Sequence, residues 1–157
     1  MSGMRQSKRK IKPNKNIKIA VVASKFNEFV SQRLLKACLK ELARLGLKES
    51  NIPVYWVPGS YEIPLIALKL AKKNEIKAVV CLGAIIRGET FHFELISQGV
   101  AQGISQVSLT TQKPIIFGVL TTDTIDQAYK RSKENGDNKG REAAVSALEM
   151  INLLSHI

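Results

Sequence analysis

The sequence predicts a three-layer α/β sandwich, with helices on both faces of a four-stranded, mainly parallel sheet. Three observations carry this. Apolar runs of strand length alternate with helical patterns along the chain. The first three of those runs are separated by helix-length segments and never by tight turns. The runs are also continuously apolar, without the alternation of a half-exposed strand. Antiparallel neighbours can be joined by two residues, whereas parallel neighbours need a crossover of helix length. Continuous apolarity means that both faces of the sheet are covered.

The elements follow in order. Ile17–Ala23 reads as the first strand. Over Glu28–Leu45, Val30, Leu34, Ala37, Cys38, Leu42 and Leu45 recur at helical spacing, and Gly46 is a stop signal. Ile52–Val57 is a second strand, ended by Pro58-Gly59. A helix covers roughly Tyr61–Lys73, with Pro64 tolerated in its first turn. The third strand lies within Lys77–Ile86. His92–Thr111 is helical, with Phe93, Ile96, Val100, Ile104 and Val107 on one stripe. Pro114–Leu120 is a fourth strand, and Thr124 with Gln127 fits a capping box opening a short helix. A last helix, about Lys139–Leu154, buries Ala144, Ala147, Leu148, Ile151 and Leu154. This is a flavodoxin-like arrangement.

At 157 residues, 45% hydrophobic and 24% charged, the chain is one ordinary globular domain, residues 17–157, behind a basic tail. Its longest uncharged apolar run, Ala78–Ile86, is too short to cross a bilayer. No apolar stretch follows the basic N-terminal residues, so no secretory signal is expected. Cys38 and Cys81 lack metal-ligand spacing and read as reduced core residues of a cytoplasmic protein. The formal charge of +11 is unevenly spread. Residues 1–18 hold seven cations and no acid; the other 139 residues hold seventeen cations against thirteen acids, or +4. The tail, residues 1–16, is expected to be flexible. It either binds RNA or an anionic surface, or is simply a solvated end.

Ligands of such a sheet bind outside the carboxyl ends of its strands. Strand one is followed there by Ser24-Lys25-Phe26-Asn27, strand two by Pro58-Gly59-Ser60-Tyr61-Glu62, and strand three by Arg87-Gly88-Glu89-Thr90-Phe91-His92. A glycine and a Thr cap at a helix start present unpaired N–H groups, a ready site for phosphate. His92, in the first turn, is disfavoured as imidazolium by the helix dipole. It then either relays protons as a neutral ring or merely caps the helix. Phe26 either stacks on a planar ligand or plugs the core. Glu62 is a hydrogen-bond acceptor or only a helix-start acid, and Arg131 and Lys139 hold a phosphate or are solvated. His156 reads as ordinary surface. There is no GxGxxG after strand one, no Walker A, no CxxC and no HExxH, so neither cofactor nor metal is expected.

Five segments in register resemble the 6,7-dimethyl-8-ribityllumazine synthase family. They are Phe26-Asn27-Glu28-Phe29, Pro58 through Pro64, Gly83 through Glu94, Phe117 through Thr122, and Asn138-Lys139-Gly140 with Glu149-Met150. The resemblance spans about Ile17 to Leu154. It implies a transferase of riboflavin biosynthesis that condenses 5-amino-6-(ribitylamino)uracil with 3,4-dihydroxy-2-butanone 4-phosphate, releasing phosphate and water, without a cofactor. By matching position it implies that Phe26 stacks on the pyrimidine and that Asn27 also contacts substrate. Gly59, Ser60 and Glu62 would hold the ribityl chain, and the main chain of Ala84, Ile85 and Ile86 the uracil edge. Gly88, Glu89, Thr90 and Arg131 would grip the phosphate, with the Glu89 side chain turned away. His92 would move protons, Lys139 would lie near the rings, and Phe117 would close the pocket from a neighbouring subunit.

The resemblance also implies a homo-oligomer with shared active sites, a pentamer, and leaves open an icosahedral 60-mer and an association with riboflavin synthase. Pro13, lacking an N–H donor, would hinder the tail from adding a strand to a neighbour, which favours free pentamers. Between Arg131 and Lys139, Ser132 to Asn138 is more acidic than the family's usual form but equal to it in length. Two other readings compete: a basic RNA- or surface-binding module on an inactive enzyme-like fold, and a flavodoxin-like flavin carrier.

Overall fold

The computed structural model describes residues 16–157. The basic tail expected at 1–16, with Pro13, therefore lies outside the described residues except for Asn16. Four strands, β1 (Lys18–Ser24), β2 (Val54–Val57), β3 (Ile76–Ile86) and β4 (Ile115–Thr122), form one sheet in the order β2-β1-β3-β4. All three pairings are parallel, so the sheet is wholly and not just mainly parallel. The helices are α1 (Glu28–Arg44), α2 (Ile63–Ala71), α3 (His92–Thr111), α4 (Ile125–Ser132) and α5 (Lys139–Leu154).

The strands are continuously apolar because each face buries its own set of side chains. Ile19, Val21, Ala23, Val80 and Leu82 pack with Leu34, Leu42, Ala144 and Leu148 of α1 and α5. Ala20, Val22, Val79, Cys81 and Val119 pack with Ile63, Ala67, Val100 and Ile104 of α2 and α3. Cys38 and Cys81 lie in these two cores as free thiols, their pKa values pushed up to about 12 by burial. Among the described residues no helix is long and apolar enough to cross a membrane.

Element ends differ from the expected ones where short-range geometry intervenes. The segment expected to be helical from Tyr61 opens as a 3-10 turn, Ser60–Glu62, before α2. Another 3-10 turn, Glu49–Asn51, precedes β2 and shortens it to four residues. Gly46 ends α1 with φ 103°, a conformation that costs a side chain dearly. The capping box at α4 is shifted: the Thr124 hydroxyl accepts from Gln127 N at 3.2 Å, while the Gln127 carboxamide accepts from Asp123 N at 2.8 Å.

Helices α1 and α5 cross at Gly140, which is buried; a Cβ there would collide with the Leu34 carbonyl. Helix propensity alone favours Gly140→Ala by about 1 kcal/mol. The collision reverses the sign, since overpacking costs about 1–3 kcal/mol. Urea denaturation of Gly140→Ala should show lower stability than the parent, and equal or greater stability would refute this crossing.

Candidate functional site

The carboxyl ends of β1, β2 and β3 open on one hollow of about 630 Å³. The loop after β1 contributes Phe26, the loop after β2 contributes Pro58 through Glu62, and β3 with the segment after it contributes Ala84, Ile85, Ile86, Gly88, Thr90 and His92. Backbone bonds hold the first two loops together: Lys25 N donates to Val57 O at 2.8 Å and Phe26 N to Pro58 O at 3.0 Å. Beneath them the buried hydroxyls of Ser31, Ser24 and Ser60 form a chain with 3.5 and 3.4 Å separations. Gly83 of β3 makes room for it, since a Cβ there would lie 2.5 Å from Ser24 Oγ and 2.8 Å from Ser60 Oγ.

Phe26 is 73% exposed, so it does not plug the core and its ring face is free for a planar ligand. Asn27 does not line the hollow. It caps α1 in the left-handed region, φ 57°, and its side-chain N–H donates to Ala84 O at 2.9 Å. This residue type tolerates that conformation better than most. Asn27 thereby ties the β1 loop to the end of β3. Glu62 faces inward and accepts from Gly59 N through Oε2 at 2.9 Å, which orders the backbone of that wall.

His92 is the first residue of α3 and is exposed toward the hollow. Thr90 is not the N-cap. Phe91 holds that position in a helical conformation, and Thr90 Oγ1 accepts from His92 N at a long 3.4 Å. With so weak a cap, the start of α3 is favourable to an anion. Glu89 is exposed and does not line the hollow. Pro58, Tyr61, Phe93 and Ile96 also form its wall. Phe93 and Ile96 belong to the stripe expected in the core, and they are only half-buried because the stripe begins at the rim.

Phe117, Arg131 and Lys139 lie elsewhere. They line a second hollow, of about 280 Å³, along edge strand β4 beside α4 and α5, and it shares no residue with the first. Arg131 donates to Gln127 O at 3.2 Å, and Lys139 Nζ lies 2.9 Å from Glu142. Within one chain, then, Arg131 does not join Gly88–Thr90. His156, beyond α5, keeps Nδ1 at 2.7 Å from Asn152 O. Among the described residues no group of three His, Cys, Asp or Glu is placed to hold a metal ion.

Beside the hollow, Arg87 Nε donates to Asp123 Oδ1 at 2.7 Å and Nη1 donates to Glu94, while the guanidinium lies 4.4 Å from the Phe93 ring centroid. Arg87 holds the Glu94 carboxyl below its ordinary value of 4.5. A depressed carboxyl binds protons less readily folded than unfolded. Its stabilisation is therefore present above the unfolded value and is lost as pH falls through the lower, folded one. Denaturation midpoints of the parent and Glu94→Gln should differ most at neutral pH and draw together as pH falls below the ordinary carboxyl value of 4.5. A gap unchanged from about pH 7 to about pH 3 would contradict this.

A sequence model of one family, 6,7-dimethyl-8-ribityllumazine synthase, matches residues 16–155. That match covers nearly the whole described chain, including both hollows and every segment that builds them. The chain belongs to the 6,7-dimethyl-8-ribityllumazine synthase family, transferases of riboflavin biosynthesis.

Proposed function

We propose that lumazine synthesis takes place in the rim hollow, where 5-amino-6-(ribitylamino)uracil condenses with 3,4-dihydroxy-2-butanone 4-phosphate and phosphate and water leave. One observation carries this reading: Phe26, Gly59–Glu62, Ala84–Ile86, Gly88, Thr90 and His92 surround a single space large enough for two small substrates. Phe26 offers its exposed ring to the pyrimidine. The main chain of Ala84 to Ile86 meets the uracil edge, and Gly59, Ser60 and Glu62 meet the ribityl hydroxyls. Gly88 to Thr90 and the first amides of α3 take the phosphate.

The chemistry needs few groups. Amine attack on the ketone, phosphate loss and ring closure each move protons, and the His92 imidazole stands beside the phosphate loop to carry them. Positive potential at the leaving phosphate comes from the helix start and from Arg131. Holding two reactants in register supplies up to about 7–11 kcal/mol in favourable cases.

The active form is a cytoplasmic homopentamer in which Phe117, Arg131 and Lys139 of a neighbour face the rim hollow. Two features support it. Those three residues gather along β4, in a hollow separate from the rim. Helix α3 carries no charge from Leu95 to Gln112, yet Leu95 and Leu109 are exposed, as is Leu65 of α2. Such faces are covered in oligomers. A basic RNA-binding reading rests on the tail alone, and nothing in the described residues favours it.

Purified protein given both substrates should form a fluorescent lumazine. His92→Ala should slow this about a hundredfold or more at equal oligomeric mass. No lumazine from the parent would refute the reading, whereas normal turnover by His92→Ala would refute only the role of His92.

A further inference from the structure

The segment Gly88–Phe91 is exposed throughout, and a Cβ at Gly88 would meet nothing within 4 Å. Packing does not fix its path, so its two ends must. One end is Arg87, whose N–H donates to Thr122 O of β4 at 2.8 Å. The other end is the first turn of α3, His92-Phe93-Glu94.

The Arg87 side chain joins both ends to β4. Nε reaches Asp123 just past β4, Nη1 reaches Glu94, and the flat face of the guanidinium covers Phe93, a wall residue of the hollow. Two carboxylates against one guanidinium leave the group with a formal charge of −1. It therefore adds no attraction for an anion. We infer that Arg87 is a positioning residue, clamped by Glu94 and Asp123, that holds the phosphate loop Gly88–Thr90 and His92 in register. The inference rests on that loop being the phosphate cradle.

A planar fork with fixed donors does this and a point charge does not. Charge and geometry therefore give opposite signs when Glu94 is neutralised. If electrostatics ruled, Glu94→Gln would remove a negative charge near the phosphate and lower its KM. If Arg87 positions the loop, the same change loosens it and raises that KM.

The test is steady-state kinetics on the full-length, assembled enzyme for Glu94→Gln, Arg87→Lys and Thr90→Ala, each checked for oligomeric mass and cooperative unfolding. Glu94→Gln and Arg87→Lys should each raise KM for the butanone phosphate about three- to tenfold and lower kcat, with KM for the pyrimidine within about twofold of the parent. A lowered or unchanged butanone-phosphate KM in Glu94→Gln, or full rescue by Lys at 87, overturns the clamp. If Thr90→Ala alone is impaired, the cradle stands and the clamp falls. If all three behave as the parent, both fall. Should Arg87→Lys not assemble, Glu94→Gln decides alone, because its sign separates the two accounts.

Discussion

Parallel pairing of β1, β2 and β3 is the constraint from which the rest follows. Strands that run the same way end on the same side, so the three loops after them have no choice but to meet. Crossover helices on both faces then bury the central strands β1 and β3, and two separate cores form on either side of one sheet. The rim is where the chain stops being core. There, backbone groups no longer needed by the sheet become available to a ligand, and a few side chains fix their directions.

The rim is ordered by polar contacts rather than by apolar packing. Ser24, Ser31 and Ser60 link the floor, Asn27 bridges to Ala84, and Glu62 turns back to Gly59. Two of them, Ser60 to Ser24 and Asn27 to Ala84, join different strand ends, and the other two order the segments after β1 and β2. Individually such bonds contribute modestly, about 1 kcal/mol apiece. Together they hold in register the three segments that would touch the substrates. Arg87 extends the same design to the fourth strand, since its partners lie on α3 and just beyond β4.

Much of this was legible in the sequence. The apolar runs at Ile17–Ala23 and Ala78–Ile86 marked buried strands, and Gly46 and Pro58-Gly59 marked their connections. Phe26, Gly59, Ser60, Glu62, Gly88, Thr90 and His92 are legible because position after a strand end determines the rim, whereas Ala84 to Ile86, inside β3, are marked only by the family resemblance. Other features depend on pairs distant in sequence and have no local signature. Asn27 read as a ligand contact, yet its amide is spent on Ala84, 57 residues away. Arg87 and Asp123 are 36 residues apart, and periodicity says nothing about such a meeting. Phe93 and Ile96 have core spacing and wall position at once. The grouping of Phe117, Arg131 and Lys139 along β4 depends on sheet order, which element alternation alone leaves undetermined.

The central claim is that one working site is made from the rim of one chain and the β4 edge of the next. Mixing two inactive variants, His92→Ala and Arg131→Ala, in equal amounts tests it most directly. If the residues come from different chains, random assembly rebuilds intact sites at about a quarter of the total, and lumazine synthesis returns to that level. If mixed oligomers form and remain as inactive as either variant alone, both residues serve from the same chain and the account is wrong.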